Sequence, residues 1–289
     1  MNIEIVCQSD KMRRLEKYLR ATAVSDKPTL LIGADGSGRS YIGRRLHVMS
    51  QGRELLVEIS GLEPLPSDRL LDAAARARGG TLLITDLDRL DEHGQRNLRC
   101  LLAKFAVCDR PPRLITTALP ELEVLVKRGL FMRSLYDQLS VFRHQIPSLR
   151  ERLDDLPELC RILLTEHARS ERCAVPVLLP DGMATLRHYA WPGNVRELSN
   201  ILLRALLWSA GPIDGEAITV LLSADTSVDE VRLPIGTSLA AAEKALILAT
   251  LRASRTKALT ARRLGITRRT LYQKLARYDV SSGVVRGTP

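Results

Sequence analysis

Residues Gly33–Ser40 read GADGSGRS, three glycines with one cation and a closing hydroxyl, directly after the apolar run Thr29–Ile32. Glycines let backbone N–H groups close around phosphates, and a helix that starts at the end of such a loop adds the positive end of its dipole. The pattern GxxxxGK[ST] is met except at the lysine, where Arg39 stands. Arginine keeps the charge but presents a larger planar fork in place of a compact ammonium. Gly33, Gly36, Ser37, Gly38, Arg39 and Ser40 are therefore candidate nucleotide-phosphate contacts. By itself the motif fits a working loop or a degenerate one that only shapes the fold. A second apolar run, Thr81–Ile84, ends in Thr85-Asp86. A carboxylate at a strand end facing a phosphate loop is where magnesium is held and the attacking water polarised. Asp86 is the one carboxylate there, because Asp88 and Asp91 fall past the expected strand end.

A different chemistry sits near the C-terminus, at Arg255–Tyr278, RTKALTARRLGITRRTLYQKLARY. Leu259, Leu264, Ile266, Leu271 and Leu275 keep helical spacing, broken once at Gly265. Two short helices joined by a tight turn are predicted, with Gly265 taking the positive φ of the turn and Thr267 capping the second helix. Thr267, Arg268, Arg269, Thr270, Gln273 and Lys274 then offer that helix to phosphates and base edges, and Tyr272 either stacks on the backbone or packs inward. From Leu251 to Pro289 ten lysines and arginines oppose Asp279 alone, so nine of the chain's net +10 lie in this end. Such a concentration is what counterion release from double-stranded DNA requires.

The elements that must carry these groups follow from alternation. Apolar strands at Thr29–Ile32, Glu54–Ile59, Thr81–Ile84 and Arg113–Thr117 alternate with helical stretches Lys11–Ala23, Asp68–Arg78, Gly94–Phe105 and Pro120–Lys127. That order predicts a parallel sheet with helices on both faces. From Pro147 strands cease, and Leu149–Leu164, Leu178–Tyr189 and Val195–Ser209 read as helices. Ser223–Ser238 is polar, acidic and proline-bearing, a linker. Leu239–Ala253 is a helix whose wide apolar face is expected to pair with a second copy. Four segments result: 1–147 α/β, 148–222 helical, 223–238 linker, 239–289 helix-turn-helix. The five cysteines and five histidines show no metal-ligand spacing, which fits reduced thiols in the cytosol and no metal site. No apolar run reaches the about 18 residues of a membrane span, so a cytoplasmic, nucleoid-associated protein without membrane partners is expected.

Together these blocks resemble the bacterial enhancer-binding proteins, the AAA+ activators of sigma-54 RNA polymerase with a Fis-type DNA-binding domain. The resemblance is carried by QSDKMRRLEKYL, GADGSGRS, GGTLLITDL, GLFMRSLYDQLSVF, IPSLRERLDDLPEL, WPGNVRELSN and TARRLGITRRTLYQKL. It implies an AAA+ P-loop sheet domain with a helical lid, then an all-α Fis-type headpiece that dimerises on a palindromic promoter or enhancer. It implies ATP or ADP with magnesium as the nucleotide, Arg196 as the lid arginine that reaches it, and assembly into a dimer or higher oligomer. Trp191 and Trp208 are expected in the core. Arg150 and Arg152 are expected to hold the sheet–lid junction through Asp154 or Asp155.

This sequence departs from the family pattern at several positions. Arg39 replaces the loop lysine, Thr85-Asp86 an Asp-Glu pair, and Ala118-Leu119 the Thr-Asn of the sensor strand. Met132 and Gln138 stand where the family has two trans-acting arginines. The interval Gly61–Arg78 is too short for the GAFTGA loop that acts on sigma-54, and only a leading helix precedes the first strand. Input is then expected through a partner, a nucleotide or protein abundance. These departures predict a regulator without ATP hydrolysis and without sigma-54 activation of its own. An unusual ATP-hydrolysing activator, or a modulator that co-assembles with an intact family member, are the alternatives.

Overall fold

The computed structural model describes residues 5–50, 55–208, 211–225 and 238–253, together with 260, 264, 266–267, 270–271 and 274–275. The chain divides into two units, Met1–Leu221 and Leu222–Pro289.

In the first unit five parallel strands form one sheet in the order β2-β3-β4-β1-β5: β1 Thr29–Ile32, β2 Leu56–Ser60, β3 Thr81–Thr85, β4 Arg113–Ala118 and β5 Phe142–Gln145. The strands β1, β3 and β4 are buried along their whole length because helices cover the sheet on both faces, and their two-residue period divides the side chains between two cores. Leu30, Ile32, Leu82, Ile84 and Leu114 pack under α3 (Ser67–Arg76), α4 (Glu92–Phe105), α5 (Leu122–Lys127) and α6 (Arg133–Leu139). Leu31, Leu83 and Ile115 pack on the other face, with Met12, Leu15 and Leu19 of α1 (Asp10–Ala23) and Ile42 and Leu46 of α2 (Arg39–Met49). Loop ends at one edge of such a sheet are where ligands meet parallel strands. β1 delivers the glycine loop there, and β3 delivers Asp86.

The predicted helix Leu149–Leu164 is two elements. A 3-10 segment spans Leu149–Asp155 and α7 spans Leu156–Glu171, with Arg152 bent out of helical geometry at φ −138°, ψ 46°. The remaining lid helices are α8 (Pro180–His188), α9 (Asn194–Trp208) and α10 (Gly215–Asp225). Leu156, Cys160, Leu164 and Ala168 form the buried stripe of α7, Leu198, Ile201, Leu202 and Ala205 lie buried on α9, and the two helices pack on each other. Trp191 is buried as expected, its indole N–H donating to the Leu186 carbonyl at 2.8 Å. Trp208 corrects the expectation: it stands 69% exposed at the end of α9, because the stripe that packs inward there runs through Ala205 and Leu206. α10 reaches Asp225, so the lid extends three residues into the stretch read as linker; positions 226–237 lie outside the described residues.

In the second unit α11 (Leu239–Ala253) contributes Ile247 to a small core with Leu271 and Leu275, against which Leu264 and Ile266 pack. The Leu264 amide donates to the Thr260 carbonyl and the Leu271 amide to the Thr267 carbonyl, each at 3.0 Å. These are the i→i+4 bonds of a helical turn on either side of the break. Of the face of α11 that was expected to meet a second copy, Ile247 is buried in this core and Leu246 stands 48% exposed, while the side chains at 239–240, 249 and 251–253 lie outside the described residues.

Candidate nucleotide site and DNA-binding headpiece

Gly33–Ser40 forms the turn from β1 into α2, and its shape is set by its glycines. Gly36 and Gly38 hold φ +70° and +101°, which a side chain would strain. Gly33 donates to the Ala118 carbonyl at 3.2 Å, anchoring the start of the loop beside the end of β4. Arg39 is the first residue of α2 and is only 7% exposed. Its Nη2 lies 3.2 Å from Asp86 Oδ1 and 3.6 Å from Asp35 Oδ1. Asp35 in turn pairs with Arg196 Nη1 at 2.5 Å. Two cations and two carboxylates thus form one chain of ion pairs, Asp86–Arg39–Asp35–Arg196, through the middle of the loop.

The lid closes on the same loop through backbone atoms. Val195 and Arg196, at the start of α9, donate their amides to the Gly36 carbonyl at 3.0 and 3.3 Å. Asn194, in left-handed geometry at φ 53°, donates its side-chain Nδ2 to the Asp35 carbonyl at 2.8 Å and accepts from the Leu149 amide at Oδ1 at 2.8 Å. A Cβ on Gly36 would collide with the Gly193 carbonyl oxygen. The segment WPGNVREL therefore folds as it does to put two backbone amides, one side-chain amide and one guanidinium on the loop.

Below the loop Arg152 donates to the Ser37 carbonyl at 2.7 Å and touches Met12 Sδ at 3.3 Å. Burial pulls its guanidinium below the ordinary arginine value, and the charge of nearby Asp155 opposes that. Asp155 itself accepts from the Gln8 and Ser9 amides, each at 2.7 Å, and from Ser9 Oγ at 3.0 Å. The junction expected between the arginines and Asp154 or Asp155 is thus built differently. Arg152 bonds to the loop, Arg150 donates to the Arg187 and Tyr189 carbonyls, and Asp155 holds the segment before α1. Cys7, beside this segment, stays out of the chemistry: burial, and then Glu16, pushes its thiol up to about 12.

Two cavities open on the loop. One of about 330 Å³ is lined by Gly36, Gly38, Arg39, Ser40, Asp86 and Arg196 among others. The other, about 190 Å³, is more apolar and is lined by Ile5, Val6, Tyr41, Leu159 and Ile162. Gly38, Tyr41, Leu163 and Val195 belong to both. Arg39 Nη1 and Ser37 Oγ are buried there without a protein partner, and buried donors of that kind call for a ligand or water. A polar compartment beside an apolar one fits the phosphates and base of a nucleotide. The same residues do not fit a magnesium ion. Thr85 offers a hydroxyl in place of a carboxylate, Asp86 is held by Arg39, Asp88 accepts from the Leu119 amide at 2.8 Å, and Asp91 caps α4 through the Gly94 amide at 2.7 Å.

In the headpiece Thr267 caps the second helix as expected, its Oγ1 accepting from the Thr270 amide at 3.1 Å. Lys274 forms an ion pair with Glu243 of α11, so it braces the headpiece's own core. Arg268, Arg269, Tyr272, Gln273 and Gly265 lie outside the described residues.

Residues 6–149 match the sigma-54 interaction domain, 150–227 the AAA+ ATPase lid domain, and 238–278 the bacterial regulatory protein, Fis family. The transcriptional regulatory protein ZraR of Klebsiella oxytoca is 33% identical over 305 aligned positions, covering 94% of this chain and 68% of that protein. This chain belongs to the sigma-54 family of bacterial transcriptional regulators. ZraR of Escherichia coli K12 is 31% identical over the same shares of the two chains. Among solved structures, NtrX from Brucella abortus in complex with ADP superposes with a TM-score of 0.69 at 22% identity, over 96% of this chain and 70% of that one. The Holliday junction branch migration motor RuvB of Thermotoga maritima gives 0.56 at 17%, over 98% and 90%. Both likenesses speak to the AAA+ fold alone.

For a sigma-54 family regulator, the positions read as departures take definite places. Thr85 is buried at the end of β3, Met132 packs its side chain on the sheet core before α6, and Gln138 is exposed on α6. Reasoning from sequence missed Asp35 and Asn194. The signal for Asp35 is an acidic residue inside a glycine-rich loop of the phosphate-binding pattern. Asn194 carries only the weak signal that asparagine tolerates left-handed backbone.

Proposed function

We propose that the chain regulates transcription by binding DNA through its C-terminal headpiece, with an AAA+ part that does not turn over ATP and does not by itself drive sigma-54 polymerase into open complexes. The observation that carries this reading is the Arg39–Asp86 ion pair at 3.2 Å. Hydrolysis needs a carboxylate free to hold a metal or to orient water, and here the strand's one terminal carboxylate is taken by the loop's own cation. Three further features support it. Thr85 supplies no negative charge. Met132 and Gln138 bring no positive charge to a neighbouring subunit's site, where an arginine is worth about 10³–10⁵ in rate in GTPases. Between β2 and α3 only the short connection 61–66 is present, with no room for a lever-like insertion.

Thr267, Arg268, Arg269, Thr270, Tyr272, Gln273 and Lys274 lie on the helix that reads DNA in this proposal, the arginines and Gln273 carrying most of the contact. A dimer of headpieces would address half-sites about 34 Å apart. The test is a phosphate-release assay on the purified chain with ATP and magnesium, beside transcription reconstituted with sigma-54 polymerase and the promoter DNA it retains. The expected result is DNA binding with neither phosphate release nor open complexes. Sustained release would overturn the reading and restore an ATP-driven activator.

A further inference from the structure

We propose that the glycine loop binds the phosphates of an adenine nucleotide without a divalent metal, with Arg39 supplying the positive charge that a metal ion would otherwise bring. The inference rests on the reading of the AAA+ part as non-hydrolysing and deepens it. The groups that point to a ligand are Arg39 Nη1 and Ser37 Oγ, both buried and unpartnered, with Arg39 lining the polar cavity at the loop and Ser37 the apolar one beside it. The side chain that carries Nη1 is 7% exposed; its Nη2 already faces Asp86 and Asp35, so what is missing is an acceptor for the buried Nη1, which a phosphate oxygen would supply. The apolar compartment beside it, with Ile5, Val6 and Ile162, is suited to a base and not to a bare phosphate.

The groups that argue against a metal are equally specific. A divalent ion bound at Asp86 would lie next to a guanidinium whose Nη2 is 3.2 Å from the same carboxylate. Placing both cations there costs repulsion that one carboxylate cannot offset. No other carboxylate at the strand end is free, since Asp88 and Asp91 are committed to backbone amides. The carboxylates also act on the nucleotide itself. Asp35 and Asp86 compete with phosphate for Arg39, so affinity is set by how far they are displaced.

The experiment is a titration of the full chain with mant-ADP, read by fluorescence, and with ADP by calorimetry, once in EDTA and once in excess magnesium. The expected affinities in the two buffers agree within about threefold. Asp86→Asn is the informative variant, because asparagine tolerates the left-handed backbone at φ 54° and keeps the fold. It is expected to tighten mant-ADP about fivefold, the effect of neutralising one charge about 4 Å from an anion in a wet site. Arg39→Gln is expected to weaken binding by more than about tenfold while thermal unfolding stays cooperative. A loss of more than about tenfold in EDTA, or weaker binding by Asp86→Asn, overturns the proposal. Absence of mant-ADP binding together with absence of phosphate release overturns this inference and leaves the proposed function standing. Magnesium-dependent binding accompanied by steady release overturns both.

Discussion

Replacing Asp155 by asparagine leaves its size almost unchanged but removes the anion that the Gln8 and Ser9 amides and Ser9 Oγ share. The carboxylate is fully buried, so an amide in its place would turn a donor toward donors already committed to it. Asp155→Asn is expected to cost about 3 kcal/mol in urea unfolding, in the range for breaking a buried charged hydrogen-bond cluster. An unchanged urea midpoint would show that the segment before α1 is held by packing alone. The same logic explains why Arg152 leaves helical geometry. Its guanidinium must reach the Ser37 carbonyl, and an unbroken helix from Leu149 onward would point it elsewhere. That requirement is tertiary, so the apolar spacing of Leu149–Leu164 reads as one continuous helix although the chain breaks there.

At the scale of elements, the loop and α9 are held together by contacts that depend on the absence of one side chain. Gly36→Ala would place a methyl group against the Gly193 carbonyl and would force alanine to φ +70°. The backbone cost alone is about 1–2 kcal/mol, and displacement of the α9 amides from the Gly36 carbonyl adds to it. A loss of at least about 2 kcal/mol is expected, with the lid becoming sensitive to limited proteolysis before the sheet does. A second element-scale device is the capping box of the 3-10 segment, in which Glu151 accepts from the Ser148 amide at 2.9 Å. The Lys11 ammonium, and then the Ser148 amide and hydroxyl, hold the Glu151 carboxyl down at about 2. Because the folded value lies below the ordinary 4.5, the stability it brings is present above pH about 4.5 and is lost as pH falls toward about 2. Both partners are about half exposed, so the effect is screened and small. The urea midpoint of Glu151→Gln should fall below that of the parent chain at neutral pH and converge with it near pH 2–3. A gap that stays constant with pH would assign the effect to packing. Of these elements, the fully buried strands are legible from their apolar runs. β5, FRHQ, is not, because only His144 of the four is buried and an edge strand of that kind carries no apolar pattern.

On the scale of the whole molecule, what is legible is the division of labour, and what is hidden is the pairing of distant charges. GADGSGRS announces a phosphate loop, yet the partner of Asp35 is Arg196, 161 residues away, and no local pattern links them. Net charge has the opposite property. It is a sum over the sequence, and nine of the net ten positives lie between Leu251 and Pro289 whatever the detailed fold. Affinity for DNA should therefore fall steeply with salt, log K declining linearly with log salt at about 0.9 per phosphate neutralised. Within that slope the lysine and the arginines of the second helix should behave differently. Arg269→Ala is expected to lower the slope by about 1 and to weaken binding about equally to all sequences, as the loss of a phosphate contact does. Lys274→Ala removes a cation that is paired with Glu243, so it takes one ion pair away from beside the small core of Ile247, Leu271 and Leu275. Its expected signature is a lower melting temperature for the headpiece with nearly the parent salt slope. A full unit of slope lost with Lys274→Ala, and none with Arg269→Ala, would mean that the Glu243 pair opens on DNA and that the lysine is the phosphate contact.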